Sequence, residues 1–221
     1  VAPGPFDTTF GQGGEVALGL YYSVPGGMVL QSDGKIVVVS RRSGYLALHR
    51  LLPSGALDSE FGTGGVAEFA DSDSTYLRGV VIEPVPGAND VMEERIVVSS
   101  GVNTTGALRG PYSARLQRFM PDGTPDATFG IAGTTTVGVP GAESSEWKHL
   151  AVDGGGRIVA VGSYCLRALD DSLDYYPIAA RYTVDGQLDS DFANDGIYRQ
   201  DSLGHNHQMR GVAVHPDGRI V

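Results

Sequence analysis

The chain has 221 residues and a formal net charge of −10 at pH 7, from 16 basic and 26 acidic side chains. Hydrophobic residues make up 41% and charged residues 19% of the chain, which excludes a disordered polymer and predicts a globular protein with a sizeable core. The negative charge argues against nucleic acid and anionic membranes as partners, and the longest aliphatic run, residues 36–39, is too short for a membrane span.

Glycine is the most over-represented residue, because the 32 glycines are about twice the usual share. They follow no Gly-X-Y period, which excludes a collagen helix and predicts many tight turns instead. Short apolar runs rich in Val, Ile and Tyr lie between these turn residues, and no window shows the period of a capped helix. The composition therefore predicts an all-β fold.

Three sequence blocks recur in the same order along the chain. The first block is Asp-x-x-Phe-Gly, whose fourth copy has Ala193 in place of the glycine. Its residues are Asp7, Phe10, Gly11, Asp58, Phe61, Gly62, Asp126, Phe129, Gly130, Asp189 and Phe192. Such a recurring block indicates a repeat architecture.

The other two blocks give this repeat its period. The second block is a basic residue followed by Ile-Val, and its isoleucines, Ile36, Ile96, Ile158 and Ile220, are 60, 62 and 62 residues apart. The third block is an arginine that precedes the repeated aspartate by eight residues. Its members are Arg50, Arg118 and Arg181.

Each repeat predicts about four antiparallel strands, since Asp-Gly pairs at 33–34, 122–123, 185–186 and 217–218 are strong signals for hairpin turns. In the middle repeat the strands are predicted at residues 76–83, 95–101, 112–120 and 133–139. Tandem units of this kind are typical of propeller blades. We therefore predict a β-propeller of four-stranded antiparallel blades, with about three and a half blades in this chain.

The predicted blade boundaries make this a partial propeller. Residues 1–20 are predicted to hold the last strand of a first blade, residues 27–70, 76–139 and 147–200 three blades, and residues 208–221 the start of a further blade. An open stack would leave a bare sheet face and edge. We therefore expect a missing segment or another chain to complete the propeller. Two copies would give seven blades.

Together the blocks resemble the delta-60 repeat proteins, which are bacterial β-propeller-like proteins of unknown function. The resemblance extends over essentially the whole chain. It implies a β-propeller in a bacterial protein that is secreted or located at the cell surface, and it implies no activity. Three departures fall in turns: Glu94 replaces a glycine, residues 154–156 replace Pro-Asp-Gly, and Ala193 with Asp195 alters the fourth copy of the first block.

The repeated residues are predicted to have structural roles. We expect the aspartate to cap the following turn, the phenylalanine to fill the space between neighbouring blades, and the arginine to pair with the aspartate or with turn carbonyls. A fold rule must be obeyed in every blade, whereas an active site needs one constellation in one place. No catalytic, metal or cofactor-binding residue is therefore assigned, and no cofactor is predicted.

Several other residues are candidate sites, each with a structural alternative. His205 and His207 have the spacing for a metal pair, although solvent-facing positions are favoured. Calcium could bind the acidic runs, where a solvated loop is favoured; these are Asp71 with Asp73, and Asp170 and Asp171 with Asp174. Trp147 could stack on a sugar, although blade packing is favoured, and Cys165 is predicted to be a buried apolar residue.

Two segments, residues 84–93 and 166–176, are predicted to be long interblade loops, and the second carries Tyr175 and Tyr176. The favoured function is a non-enzymatic, exported β-propeller scaffold or binding module that presents loops to a protein or glycan partner. One alternative is a subunit or fragment of a larger propeller or surface assembly that another chain completes. The other is a propeller hydrolase or lyase with a site in the central channel.

Overall fold

A computed structural model of the chain describes residues 7–18, 24–42, 44–71, 74–87, 89, 91–103, 111–200 and 206–221. Within these ranges it contains twelve strands, and no helix there has the length and apolar character to cross a membrane. The strands are β1 (Val24–Leu30), β2 (Ile36–Arg42), β3 (Tyr45–Leu51), β4 (Val66–Ala70), β5 (Ser74–Pro86), β6 (Met92–Asn103), β7 (Tyr112–Phe119), β8 (Thr134–Val137), β9 (Ser144–Val152), β10 (Ile158–Arg167), β11 (Leu173–Tyr182) and β12 (Ile197–Arg199).

The strands form three four-stranded antiparallel sheets, each built from strands that are consecutive in the chain. The orders are β1-β2-β3-β4, β5-β6-β7-β8 and β9-β10-β11-β12, here called the first, second and third sheets. The prediction of an all-β fold with four-stranded antiparallel units is confirmed. Closure of such sheets into a propeller ring, and the number of blades, remain predictions.

Each sheet begins a few residues earlier than predicted, because the hairpin formed by its first two strands contains a β-bulge. The register between β1 and β2 shifts between Pro25 and Gly27, and that between β5 and β6 shifts between Leu77 and Val80. In the third sheet Val161 pairs with His149 and Gly162 with Trp147, so the extra residue of the bulge is Lys148 of β9. A bulge interrupts the alternation of apolar and polar residues, so a prediction based on a period of two does not extend the strand beyond the bulge.

The cores lie between consecutive sheets. Val37 and Leu48 of the first sheet pack with Ile96 and Val98 of the second. A larger core joins the second and third sheets and consists of Val97, Ala114, Leu116, Phe129, Val137, Val139, Trp147, Leu150, Ile158, Ala160, Tyr164, Ile178, Ala180 and Tyr182. Strand β10 is buried on both faces over most of its length, and β6 is buried on both faces over residues 96–101, which explains the nearly continuous apolar sequences there.

Two residues with alternative roles in the sequence lie inside the third sheet. Trp147 is fully buried, and its Nε1–H donates to the Tyr182 hydroxyl at 3.1 Å. Its ring therefore belongs to the core and is not a platform for a sugar. Cys165 is also buried, as predicted, and burial raises the pKa of its thiol.

The segments that flank the three sheets contain no strand among their described residues. Residues 7–18 form turns and one isolated bridge, between Gln12 and Glu15, and the predicted last strand of a first blade within residues 1–20 lies partly outside the described residues. Residues 206–221 lie against the outer face of the third sheet, where Val212 joins a small core with Val159 and Val161. A bridge pairs Val214 with Ile220 there.

The prediction of two long interblade loops is wrong. Residues 84–86 continue β5 and pair with residues 92–94 of β6, so this segment is the end of a hairpin within the second sheet. Pro84 and Pro86 are tolerated because β5 is the first strand of its sheet and has one ladder partner. Residues 166–176 likewise form the β10–β11 hairpin, where Cys165 pairs with Tyr175 and Leu166 with Asp174.

Candidate functional site

The repeated Asp-x-x-Phe segment forms the same capped turn in all four copies. In each copy one carboxylate oxygen accepts the backbone N–H two residues later, at 2.9 Å for Asp7, 3.2 Å for Asp58, 3.0 Å for Asp126 and 3.1 Å for Asp189. The N–H of the phenylalanine donates to the aspartate carbonyl, as from Phe61 to Asp58 at 3.0 Å. The short acidic side chain thereby satisfies backbone donors that the turn leaves unpaired.

The arginine eight residues upstream reaches this turn from the neighbouring strand. Its Nε donates to the second carboxylate oxygen of the aspartate, at 2.7 Å from Arg50 to Asp58, 2.9 Å from Arg118 to Asp126 and 2.7 Å from Arg181 to Asp189. Each guanidinium also lies over the phenylalanine of its own turn, 4.5 to 5.1 Å from the ring centroid. Arginine thus joins the carboxylate and the ring in one contact.

A second basic residue also approaches each of these three aspartates, a role that was not predicted from the sequence. The distances to the carboxylate are 3.3 Å for Lys35, 3.1 Å for Arg95 and 3.4 Å for Arg157. These residues directly precede the repeated isoleucines. Their recurrence was the available signal, but nothing in the sequence indicates which carboxylate each of them contacts.

The cations set the charge state of the turn. Burial raises the pKa of Asp126, but hydrogen bonds from Thr128 and the charges of Arg118 and Arg95 outweigh it, so the pKa lies below its ordinary value. The balance is similar at Asp58, where the backbone of Glu60, with Arg50 and Lys35, opposes burial. The aspartates are therefore ionised in the folded protein and hold charge-assisted hydrogen bonds.

The same residues connect one sheet to the next. Arg50 Nη1 donates to the Pro121 carbonyl at 2.6 Å, and Arg118 Nη1 donates to the Val184 carbonyl at 2.5 Å. Both acceptors lie in the turn that follows the third strand of the next sheet. We call each such set of the two cations, the aspartate, the phenylalanine and the contacted turn an inter-sheet joint.

Backbone hydrogen bonds connect the same pairs of turns as these arginine contacts. The glycine after each phenylalanine donates to the neighbouring turn, as from Gly62 to Asp122 at 3.3 Å and from Gly130 to Asp185 at 2.8 Å. Gly11 in the flanking segment makes the equivalent bond to Ser54, on the first sheet, at 2.8 Å. Residues 7–18 therefore contact the turn after β3 of the first sheet. The capped turns of the first and second sheets contact the following sheet in the same way.

Glycine is required where the joint is tightest. Gly123 has a φ of 92°, and a Cβ placed on it would lie 2.7 Å from Cζ of Phe61. Gly186 has a φ of 84° and would place a Cβ 2.9 Å from Cε2 of Phe129. A side chain at either position would combine a disfavoured backbone conformation with a clash against a buried ring.

The joint between the second and third sheets contains one additional carboxylate. Glu83 is fully buried, and its Oε2 accepts from Arg118 Nη1 at 3.0 Å. Its Oε1 has no hydrogen-bond partner within the part of the chain that the structure describes. Burial raises the pKa of Glu83, and the charge of Arg118 only partly opposes this. Gln31 occupies the equivalent position in the first sheet.

Glu94, which replaces a turn glycine, ties the second sheet to the first. Its Oε1 accepts from the Ser32 N–H at 2.9 Å, and its Oε2 accepts from Gln31 Nε2 at 3.1 Å. The extended β5–β6 hairpin thus places a carboxylate over the β1–β2 turn. This departure from the repeat pattern adds an inter-sheet contact.

The candidate calcium and metal residues that the structure describes form no shared cluster. Asp71, expected in a solvated or calcium-binding loop, is instead buried and binds Arg115 Nη2 through both oxygens, at 2.8 and 2.6 Å. Asp170 accepts from Ser172 within a hairpin turn. Asp73 and His205 lie outside the described residues. In the described ranges, no group of three or more His, Cys, Asp or Glu side chains is placed to hold a metal ion.

One serine–histidine pair was not anticipated from the sequence. Ser40 Oγ lies 3.1 Å from His49 Nε2 across strands β2 and β3. Both side chains are buried, and burial lowers the pKa of the histidine. A serine with an adjacent base is the arrangement of an activated nucleophile, but enclosure of both groups leaves a substrate no access to them.

Comparison with known proteins agrees with this description. Residues 31–61 and 95–129 match the family model described as "Domain of unknown function (DUF5122) beta-propeller", a family related to delta-60 repeats. Each matched segment contains the second basic residue, the arginine, the aspartate and the phenylalanine of one joint. A search of curated proteins found no match. The chain thus contains two segments similar to a β-propeller family of unknown function.

Proposed function

We propose that this chain is part of a non-enzymatic β-propeller scaffold that presents a hairpin to a protein partner. The repeated charged residues, which would be the obvious candidates for chemistry, are engaged in the inter-sheet joints. They support a stiff body on which non-repeated surface features are held in place. The best-defined of these features is the tip of the β10–β11 hairpin.

This hairpin tip carries the proposal because it combines an exposed apolar side chain with fixed geometry and charge. Leu169 is fully exposed at the tip. The turn is closed by hydrogen bonds from Ala168 N–H to the Ser172 carbonyl at 2.9 Å and from Asp171 N–H to the Ala168 carbonyl at 3.1 Å. Asp170 lies beside the leucine. A protein surface with an apolar pocket and basic rim is complementary to this tip.

A protein partner is favoured over a glycan partner because the hairpin tyrosines are engaged in the sheet. Tyr176 stacks on Tyr164 with ring centroids 5.5 Å apart, and Tyr175 lies within β11 opposite Cys165. Flat aromatic surfaces that bind sugars must be open on one face. The enzymatic alternative has less support, since Ser40 and His49 are enclosed.

Panning a random-peptide phage library against the immobilised chain tests this proposal. We expect enriched peptides that combine Lys or Arg with an apolar residue, and at least tenfold weaker binding of those peptides to the double variant Leu169→Ser/Asp170→Asn. Ile131→Ser is the matched control, because Ile131 is an exposed apolar residue in the turn between β7 and β8. Equal binding of the enriched peptides to wild type, the double variant and Ile131→Ser would overturn the proposal. Binding of the chain to a glycan array, without any enriched peptide, would also overturn it.

Export to the cell surface of a bacterium is a further part of the proposal, and it is supported by the resemblance of the repeat blocks. An antibody raised against the purified chain would test it on intact and lysed cells of the source organism. Signal from intact cells or culture medium is expected. Signal only after lysis would place the protein inside the cell and remove this part of the proposal.

A further inference from the structure

The bulge in each sheet adds one residue to the first strand of that sheet. The extra residue is Gly26 in β1 and Lys148 in β9. In β5 it is Arg78, because the following residue, Gly79, donates its N–H to Ser99 Oγ of β6 at 2.8 Å. Bulges redirect side chains and are over-represented next to active sites. The residues at these positions are therefore candidates for binding.

Residues 206–221 carry a cation at the same position of the repeat. In each sheet the extra residue is four places before the residue that pairs with the repeated isoleucine, as Gly26 is before Leu30. Val214 pairs with the isoleucine of the last repeat, Ile220, and the residue four places before Val214 is Arg210. The position is thus basic in three successive copies, although the net charge of the chain is −10. These three residues are Arg78, Lys148 and Arg210.

Glu146 lies between the first two of these cations and contacts both. Its Oε1 accepts from Lys148 Nζ, and its Oε2 lies 3.5 Å from Arg78 Nε. The side chains of Glu146 and Lys148 are only 19% and 15% exposed. Each carboxylate oxygen therefore faces one cation in a partly buried site, where such charge-assisted contacts are strong. We call these three residues the filled cradle.

The next pair of cations has an amide at the position of this carboxylate. Gln208 precedes Arg210 by two residues, as Glu146 precedes Lys148. Gln208 Oε1 lies 3.5 Å from Arg210 Nη2, which corresponds to the contact of Glu146 with Lys148 within the filled cradle. An amide carries no charge. The position between Lys148 and Arg210 therefore has two cations but lacks the negative charge that the chain supplies in the filled cradle.

Hydrogen bonds hold the last cation at the bulge of β9. The Met209 N–H donates at 3.1 Å to the carbonyl of Gly162, which is the β10 residue that pairs with Trp147. The Val212 N–H donates to Nδ1 of His149 at 3.3 Å. Residues on both sides of the last cation are thus attached to the two residue pairs that enclose the bulge. The second pair of cations is therefore brought together by the fold, as the first pair is.

We propose that Lys148 and Arg210 bind the carboxylate of a small organic acid, at the position that Glu146 occupies in the filled cradle. The ligand group is a carboxylate because the chain itself uses one between the equivalent cations. Lysine and arginine supply charge-assisted hydrogen bonds to its oxygens, and the Gln208 amide supplies one further donor. This site is separate from the β10–β11 tip and goes beyond the proposed scaffold function.

A ¹H–¹⁵N NMR titration of the whole chain with succinate, at constant ionic strength, tests the proposal. Succinate carries a carboxylate on a two-carbon arm, as a glutamate side chain does. We expect saturable shifts of the amides of residues 147–149 and 208–211. Arg210→Gln should weaken binding at least tenfold, because a charged donor is lost. Gln208→Glu should also weaken it at least tenfold, because the chain then supplies its own carboxylate. Gln187→Glu is the matched control, with the same change of charge at an exposed turn, and should bind as wild type does.

The stability of Gln208→Glu is a second measurement of the same site. A carboxylate between two cations should raise the midpoint of urea denaturation above that of Gln187→Glu. Circular dichroism checks that each variant is folded.

Each contrary outcome is distinct. Shifts that do not saturate, or that Gln208→Glu leaves unchanged, would overturn the proposal. Tighter binding of inorganic phosphate than of succinate would overturn the assignment of a carboxylate. The tip variant Leu169→Ser/Asp170→Asn should bind succinate as wild type does, so failure of this proposal is distinguishable from failure of the proposed function.

Discussion

Arg118 in the second sheet donates through Nη1 to the Val184 carbonyl in the third sheet at 2.5 Å, while its Nε donates to Asp126 of its own sheet at 2.9 Å. One guanidinium thus fixes a turn and attaches it to the neighbouring sheet. The Arg118 side chain is 5% exposed, so the contact is shielded from water and salt. The stability of the stack should therefore depend on this residue.

Replacing Arg118 by alanine should lower the free energy of unfolding by about 3 to 5 kcal/mol, because the buried Glu83 would lose its ion-pair partner and the buried Asp126 would lose one of its two. Urea denaturation followed by circular dichroism measures the change. Arg167→Ala is the control, since Arg167 is half-exposed and its ion pair with the exposed Glu143 is screened by water and salt. A loss of stability in Arg118→Ala no larger than that in Arg167→Ala would contradict a role for Arg118 in the inter-sheet joint.

Gly123→Ala should destabilise the protein more than Gly64→Ala. Both glycines have positive φ, and that conformation costs a side chain about 1 to 2 kcal/mol. A Cβ at Gly64 would meet open space, whereas one at Gly123 would meet the Phe61 ring. The excess loss should be about 1 to 3 kcal/mol, typical of overpacking.

A double-mutant cycle with Phe61→Leu isolates the steric part of this effect. The smaller side chain leaves room for the new Cβ, so the loss from Gly123→Ala should shrink in the Phe61→Leu background. Urea denaturation of the four proteins gives the coupling. Strict additivity would show that the glycine is needed for its backbone conformation alone.

Glu83→Gln should change how stability depends on pH. The folded state holds the Glu83 proton more tightly than the unfolded chain, because burial raises its pKa from the ordinary value of 4.5. Wild type should therefore lose stability as pH rises from that value through the raised pKa of the folded state. The variant has no proton to lose in this window, so its stability relative to wild type should increase with pH.

Urea denaturation at a series of pH values across this window measures the difference. Gln31→Glu is the reciprocal variant, because it introduces a carboxyl at the equivalent position of the first sheet, next to Glu94. It should add a loss of stability as pH rises. Parallel pH profiles for wild type and Glu83→Gln would show that Glu83 has the same pKa in the folded and unfolded states.

Tyr182→Phe should destabilise the core between the second and third sheets by about 1 to 3 kcal/mol, because the buried Nε1–H of Trp147 would lose its acceptor. Trp147 is the only tryptophan, so its fluorescence reports this region during denaturation. Tyr198→Phe, at an exposed tyrosine, is the control and should change stability by less than about 0.5 kcal/mol. An equal effect of the two changes would argue against the hydrogen bond.

Much of each joint was predictable from the sequence because its internal contacts are local. The eight-residue spacing between Arg118 and Asp126 spans one tight turn, so a recurring pair at this spacing indicates a contact across it. The capped turn is more local still. Recurrence in each repeat also indicated a structural role, and Phe61 and Phe129 are fully buried between sheets.

Contacts between distant segments were not predictable in the same way. Lys35 meets Asp58, Arg50 meets the Pro121 carbonyl and Asp71 meets Arg115, and nothing local in the sequence marks these partners. The two hairpins that were predicted to be interblade loops were wrongly predicted for the same reason. Whether residues 84–86 continue a strand depends on their pairing with residues 92–94. The two prolines in this segment argue against a strand when the sequence alone is considered.

The repeat, the β class and the capped turns could be predicted from the amino-acid order, since these follow from residue type and spacing within one hairpin or turn. Which sheet faces are covered and which remain exposed depends instead on how the sheets pack. Met28 and Leu30 have the apolar character of Val80 and Ile82, which pack into an inter-sheet core, yet remain largely exposed. The difference lies in the neighbouring sheet, because burial is a property of what packs against a residue and not of the residue alone.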